Sequence, residues 1–418
     1  MKIALLGYGT VGSAVAKVLL ENQEIISARC GQILEPVIAL ARSKKPNSLV
    51  PVVNDINEIL KRDDIDIYVE LMGGIDEPFK LVSELLRRKK PVVSANKAML
   101  AYHRYELETL AKDTFFGYEA SVAGGIPIIR ILKEGLSANN IISIKAILNG
   151  TSNFILSSMK QKNTSFAEAL KEAQNLGYAE ADPSFDINGD DAAHKLLILS
   201  SIAYGLKAKP EDILIEGISK ISADDMYFAD EFDLVIKLLG VAKAKNGKIE
   251  LRVNPSLLPK NTMLAKVDGV MNAISISGDM LKESLYYGEG AGGEATASAV
   301  ISDIMEFARN SNSSKLPMLG FSSRVNFSLI EKDEIYAKYY LRLRVEDKLG
   351  VLSKITKLMC DNEISVDIFL QKPRGKESTL FFTTHHTYER SIKNLIQALK
   401  QQDFMRDEVF MMRMENGT

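Results

Sequence analysis

At 418 residues the chain is too long for a single core, and two or three domains are expected. Hydrophobic and charged fractions of 46% and 25% and a formal net charge of -2 describe a soluble globular protein, with no basic excess for nucleic acid and no polybasic tail for a membrane. Two cysteines, Cys30 and Cys360, cannot form a disulfide framework, which fits a reducing cytoplasm. Together with His103, His194, His385 and His386 they show no metal-ligand spacing, so a zinc-type alcohol dehydrogenase centre is not expected.

The first apolar run, IALLGYG, is too short for a signal segment and breaks into glycines, so it reads as a strand. No stretch approaches transmembrane length. Gly7, Gly9 and Gly12 form G-x-G-x-x-G directly after that strand and directly before an amphipathic helix, the context a dinucleotide fingerprint requires. Gly7 permits the tight turn, Gly9 lets the backbone approach pyrophosphate, and Gly12 lets helix meet strand. The N–H groups of Thr10 and Val11 then face the phosphates at the helix N-terminus. The second strand, PVIALAR, ends on Arg42, followed by Ser43, Lys44 and Lys45, where NAD enzymes usually place an acid. An arginine there can pair with a 2′-phosphate, so NADP is favoured over NAD; the alternative is a solvated basic turn.

DIDIYVELMGG is a further strand, EPFKLVSELLRRKK a helix, and PVVSANKAML a strand that runs into Ser94, Ala95, Asn96 and Lys97. Ligands of open parallel sheets sit beyond the carboxyl ends of strands, which puts Lys97 in position for chemistry. FFGYEASVAGGIPII reads as a strand and glycine-rich turn containing Glu119; the plain alternative is the turn that leaves the nucleotide domain. A second domain then opens with a strand over 141–148, stopping at Asn149-Gly150, with Thr151 or Ser152 as the cap of the next helix. SFAEALKEAQNLG is a helix with a Ser165–Glu168 capping box and Gly177 as its stop.

Next comes the densest stretch of the chain, GYAEADPSFDINGDDAAHK. It holds Glu180, Asp182, Asp186, Asp190 and Asp191 in a mostly loop segment, and a helix opens near Gly189. Asp191 and Lys195 are one helical turn apart on one face. Taken alone, this is an exposed ion pair above a helix N-terminus; beside a nucleotide fingerprint it is a candidate catalytic cluster. A helix from Asp225 to Leu239 is expected, followed by hairpins turning on Asn246-Gly247 and Gly278-Asp279, in a mostly antiparallel sheet. GEGAGGEATASAVISDIMEFAR is a glycine loop and a helix that returns to the nucleotide domain. After a polar linker, the remainder reads β-α-β-β-α-β, a ferredoxin-like module.

The chain resembles monofunctional homoserine dehydrogenase over essentially its whole length. The carrying residues are GYGTVG, SANK at 94–97, YEASVAGGIPII at 118–129, NGTSNFIL at 149–156, LGYAEADPSFDINGDDAAHK at 176–195 and GEGAGG at 288–293. The C-terminal module resembles an ACT domain with EDKLGVL as its first strand-to-helix loop, although many such loops carry a proline where this chain has Leu349. No kinase-sized region precedes Met1, so the monofunctional form is expected. The fold class expected is α/β: a Rossmann-type nucleotide-binding domain (1–130, with return helix 294–310), an α+β substrate and dimerisation domain (131–293), a linker (311–335) and a ferredoxin-like ACT domain (336–418).

The resemblance implies NAD(P)-dependent interconversion of L-homoserine and L-aspartate 4-semialdehyde, a step of threonine, methionine and isoleucine biosynthesis. It carries over Lys195 as acid/base residue, Lys97 as second active-site lysine, and Glu180 and Asp191 as substrate-binding carboxylates. Gly177, Gly290 and Gly292 match cleft-lining positions, and Ser94 and Lys97 lie near the cofactor. A structural sodium is implied at the Glu119 segment, through main-chain oxygens of Val122, Gly124 and Ile126. Also implied are a homodimer or homotetramer, a cytoplasmic location and L-threonine as ACT effector, with no nucleic-acid or membrane partner. The chemistry agrees: reducing an aldehyde by hydride needs a proton donor at the developing alkoxide, and without zinc a positioned lysine supplies it. A competing reading, aspartate-semialdehyde dehydrogenase, needs a cysteine nucleophile, and neither Cys30, expected in a loop after the first helix, nor Cys360 is placed for that. A non-catalytic nucleotide or amino-acid sensor is the other class, and the paired lysines and acids argue against it.

Overall fold

The computed structural model describes residues 1–43, 45–310, 317–320 and 326–415. They form two compact units. The first comprises Met1–Ile142, Ala193–Asp212 and Met271–Phe327; the second comprises Ser143–Ala192, Ile213–Val270 and the chain from Ser328 onward.

In the first unit the aliphatic run of β1 (Lys2–Leu6) is fully buried after Lys2, as a parallel strand covered on both faces must be. α1 (Thr10–Glu21), α2 (Gln23–Cys30), β2 (Glu35–Leu40), β3 (Val52–Val53), α3 (Ile56–Leu60) and β4 (Ile67–Glu70) follow. After them come α4 (Asp76–Arg87), β5 (Val92–Ser94), α5 (Lys97–Leu110), β6 (Phe116–Gly117) and α6 (Ile128–Arg130). The six strands are parallel in the order β3-β2-β1-β4-β5-β6. Order reverses between β1 and β4, and that switch point opens the ligand crevice of a doubly wound sheet. The strand expected around Glu119 is only the two residues of β6, and Glu119–Ser121 form a 3₁₀ turn. Cys30 is the buried last residue of α2, not a loop residue.

β7 (Ile141–Ile147), α7 (Gly150–Lys162), α8 (Phe166–Asn175), α9 (Ser184–Ile187), α10 (Asp190–Tyr204), β8 (Leu214–Ile215) and α11 (Ala223–Glu231) come next. The helix expected from Asp225 to Leu239 is corrected: α11 stops at Glu231, Asp233 adopts φ +52°, and Leu234–Lys245 is the long strand β9. A continuous apolar run such as LVIKLLGV has no diagnostic period. What decides is β10 (Lys248–Pro259), which pairs antiparallel with β9 along its whole length across the Asn246-Gly247 turn. β11 (Met271–Gly278) and β12 (Lys282–Glu289) form a hairpin of the first unit, with Gly278 opposite Lys282, so the turn residues are Asp279 to Leu281. α12 (Gly293–Asn310) packs on α1 there: Ala297, Val300, Ile301 and Ile304 share one core with Val15, Ala16 and Leu19.

Residues 311–316 and 321–325 of the expected linker lie outside the described residues. Of the rest, β13 (Ser328–Leu329) pairs with β10. β14 (Tyr336–Glu346), α13 (Val351–Asp361), β15 (Val366–Arg374), β16 (Glu377–Thr384), β17 (Thr387–Tyr388), α14 (Glu389–Lys400) and β18 (Phe410–Met414) complete the chain. On α14 the buried Ile392, Leu395 and Leu399 follow helical spacing and pack over the sheet with Ile355 and Met359 of α13. β18 also pairs parallel with β10, Ser256 opposite Arg413. Within the second unit the ferredoxin-like module therefore continues the sheet, in the order β7-β9-β10-β18-β14-β16-β15. No helix among the described residues is long and apolar enough to cross a membrane.

Candidate functional site

The glycine turn does what its spacing requires. Gly7 has φ +127°, and a Cβ there would sit 2.6 Å from Leu71 O at the end of β4. A Cβ on Gly12 would sit 2.1 Å from Gly7 O, so only glycine allows α1 to approach β1. Gly9, the N-cap of α1, is different: a Cβ there meets nothing within 4 Å. Its missing side chain leaves open space at the N-terminus of α1. No side chain caps α1 and no acid lies in its first turn, so the N–H groups of Thr10 and Val11 face an end that favours anions. Leu6 is opposite Leu40 of β2, which puts Arg42 two residues beyond the strand end beside this turn; Lys44 lies outside the described residues.

At the ends of β4 and β5 stands a residue the sequence reading missed. Glu70 is fully buried; it accepts Ser94 Oγ–H at 2.6 Å and Met72 N–H at 2.8 Å. Burial pushes its pKa up against these donors. Asn96 accepts Met99 N–H at 3.0 Å as the cap of α5 and donates to Gly74 O at 2.8 Å. Together they hold Ser94 and the half-buried Lys97, the first residue of α5. The available signal was an acid closing the apolar strand IYVE.

α5 is tied to α10 by the buried Arg104, which donates to Ser201 Oγ at 2.6 Å as well as to Ala101 O of its own helix at 2.5 Å, and Tyr105 Oη–H reaches Leu206 O, just past the end of α10, at 2.5 Å. Tyr102 meets His194 edge-on at 5.7 Å between ring centroids. These contacts join the helix that carries Lys97 to the one that carries Lys195. Asp191 and Lys195, one turn apart on α10, are only 4% and 8% exposed. The surface ion-pair alternative is thereby removed.

In the second unit, Gly177 (φ +76°) ends α8, with Tyr178 N–H returning to Ala173 O at 2.8 Å. Glu180 is exposed on the loop that follows, and Asp182 is a turn residue that accepts Ser184 N–H at 3.1 Å. Asp186 and Asp191 are brought together by a second residue the sequence reading missed. Asn149 Nδ2 donates to Asp186 Oδ1 at 2.7 Å and to Asp191 Oδ2 at 2.9 Å. Its Oδ1 accepts Ser152 N–H at 2.8 Å, so Asn149, rather than the expected Thr151 or Ser152, caps α7. Those two instead hold the acid loop, Thr151 on Tyr178 O at 2.6 Å and Ser152 on Asp186 O at 2.9 Å. An Asn-Gly pair after an apolar strand signals a turn, which hid this role.

Residues 7–117 match the family described as homoserine dehydrogenase, NAD binding domain, residues 127–305 the family described as homoserine dehydrogenase, and residues 339–404 the ACT domain. A homoserine dehydrogenase of Helicobacter pylori is 54% identical over 100% of this chain and 99% of its own length. The chain belongs to the homoserine dehydrogenase family. Among solved structures, a homoserine dehydrogenase from Thiobacillus denitrificans superposes with a TM-score of 0.94 at 39% identity, covering 100% of this chain and 99% of that one. A hyperthermophilic archaeal homoserine dehydrogenase in complex with NADPH superposes with a TM-score of 0.62 at 29% identity, over 73% of this chain and 96% of that one. Membership makes the chain an NAD(P)-binding oxidoreductase and closes the sensor and cysteine-nucleophile readings.

Two further segments of this homoserine dehydrogenase family member bear on the expected ligands. A side chain at Gly290 would displace Asn272, since a Cβ would sit 2.0 Å from Asn272 Nδ2; Gly292 has φ +114°. Gly293, which follows, would bring a Cβ to 3.4 Å from Thr10 Cγ2, so the glycine loop lies along the nucleotide turn. Glu119 fits the implied sodium only in part. Its carboxylate is buried and accepts Ile129 N–H at 2.8 Å and Arg130 N–H at 2.9 Å, capping α6. Burial pushes its pKa up to about 6 against those donors. Ile126 O already accepts Ile128 N–H at 2.7 Å. The described residues contain no group of three or more His, Cys, Asp or Glu able to hold a metal.

Proposed function

We propose that the chain interconverts L-homoserine and L-aspartate 4-semialdehyde, with Lys195 moving the proton and NADP preferred. A bound nicotinamide supplies the hydride in the reducing direction and accepts it in the other. Lys195 donates a proton to the alkoxide oxygen that forms at C4 of the aldehyde, or takes it back from the homoserine hydroxyl. Lys97 adds a second positive charge for the developing alkoxide. Glu180 and Asp191 hold the substrate α-ammonium, and Gly177 lines the cleft. The observation that carries the reading is the burial of Asp191 and Lys195 one turn apart on α10. NADP preference is supported by Arg42 at the carboxyl end of β2 and by the NADPH carried by the archaeal relative. The test is homoserine-dependent reduction of NADP by the purified chain, run against NAD. A higher kcat/KM with NADP is expected; turnover with neither cofactor overturns the reading.

Four finer points go with it. A sodium at the Glu119 turn rests on the main-chain oxygens of Val122, Gly124 and Ile126, since the Glu119 carboxylate is engaged by Ile129 and Arg130 N–H; a rise in Tm with sodium but not with a bulky cation tests it. L-Threonine as effector is supported by the ACT match and by the loop before α13, where Gly350 (φ +89°) caps a helix with no acid in its first turn. A homodimer or homotetramer is supported by the edge of β12, unpaired among the described residues, and light scattering decides between them. Two free thiols support a cytoplasmic location.

A further inference from the structure

Side chains of the turn between β7 and α7 reach the acid loop at several points. Thr151 and Ser152 hold main-chain oxygens of that loop, Tyr178 O and Asp186 O. Asn149 alone among these three touches carboxylates, and it touches two. It is 5% exposed, and its amide orientation is set by chemistry. The oxygen receives the Ser152 N–H, and a flipped amide would turn that oxygen onto two carboxylates. Such a residue fixes the direction in which Asp186 and Asp191 present their remaining oxygens.

We propose that Asn149 is a positioning residue for the substrate, acting through the carboxylate of Asp191 and its neighbour Asp186. The inference rests on the reading above that Asp191 binds the substrate ammonium. Its two N–H groups hold the two like charges at one neutral donor, so both stay aimed. A cationic side chain at this position would hold them more strongly and compete with the substrate. A mere helix cap needs only the oxygen.

That difference gives the test. Asn149→Asp and Asn149→Ser both retain a good N-cap acceptor, and both remove the amide donor. Purified full-length variants are expected to lose roughly 10–100-fold in kcat/KM for homoserine, as for a misaimed binding group, with the KM for NADP changed less than about twofold. The Asp variant should lose more, since a third carboxylate faces the pair. Wild-type kcat and KM for homoserine in both variants, with only Tm altered, would overturn the proposal and leave Asn149 a cap. A crystal structure of Asn149→Ser separates this from failure of the functional reading. The Asp186 and Asp191 carboxylates should depart from their wild-type positions whether or not the wild type turns over homoserine. Unmoved carboxylates overturn the proposal even if activity falls.

Discussion

The Glu415 carboxylate lies 3.3 Å from the Lys145 ammonium, with both side chains almost wholly withdrawn from solvent. Lys243 approaches the same carboxylate at 2.8 Å, and Arg252 pairs with it as well. One carboxylate thus serves three cations. Burial alone would raise its pKa, but Arg252, Lys243 and Lys145 outweigh burial and bring it down to about 2. Lys145 goes down too, because burial, helped by the neighbouring Lys243 and Arg252, outweighs the pull of Glu415. Glu415 is joined to the end of β18, so the anion comes from the ACT module and the cations from β7, β9 and β10.

Glu415→Gln is expected to destabilise the protein by about 3–5 kcal/mol, because it removes the carboxylate that three cations share and leaves the buried Arg252 with Glu250 in its place. The folded-state pKa is depressed, so the contribution is present above about pH 4.5, the ordinary carboxylate value, and fades as pH falls from there towards about 2. Urea midpoints of the variant and wild type should therefore differ at neutral pH and converge in acid. Equal midpoints at pH 7 would mean the network contributes nothing. Removing the module near Lys332 would strip out Glu415 and β18 together, so such a truncate is expected to lose solubility.

The glycine turn predicts opposite outcomes for two neighbouring substitutions. Gly9→Ala adds a methyl group to open space, and Tm should hold within a few degrees while NADP affinity falls. Gly12→Ala drives a methyl into Gly7 O and should cost on the order of 1–3 kcal/mol or more of stability. Thermal melting and cofactor fluorescence on the two variants check both. A Gly9 variant with unchanged affinity would place the pyrophosphate elsewhere.

Lys195→Ala should lower kcat by roughly two to four orders of magnitude, as for loss of a general acid–base group. The dissociation constant for NADP should stay within a few-fold. Near-normal turnover would remove the lysine from the chemistry and leave it a buried partner of its own helix.

Arg42→Ala should weaken NADP much more than NAD, with a charge-assisted bond of about 1.5–3 kcal/mol at stake. The checking quantity is the ratio of kcat/KM for the two cofactors. Equal losses would make Arg42 a residue of a solvated turn.

Local geometry was readable where it depends on neighbours in sequence. Gly7 and Gly12 are dictated by a strand-turn-helix of fixed spacing, and the Ser165–Glu168 capping box and the Asn246-Gly247 turn need nothing distant. β9 was not readable, because an apolar run without period takes its state from a partner strand. Nor could local pattern say that β18 would lie beside β10. At the site, the spacing of Asp191 and Lys195 put them on one helix face but not on a covered one. Glu70 and Asn149 escaped because a strand end and a turn account for them equally well, and only their partners in space reveal what they hold.

The packing of α12 on α1 has a consequence for the order in which the protein is made. The apolar face of the first helix, Val15, Ala16 and Leu19, is among the earliest segments to leave the ribosome, and Ala297, Val300 and Ile304 are among the later ones. At synthesis rates of about 5–20 residues per second the nascent nucleotide-binding sheet waits on the order of ten seconds or more with that face bare. An N-terminal fragment ending near Ile142 would carry the exposed face permanently, and binding of a hydrophobic dye should report it. A chain extended through α12 should lose that dye binding, and until α12 has emerged the growing chain is a natural client for a chaperone that shields apolar helices.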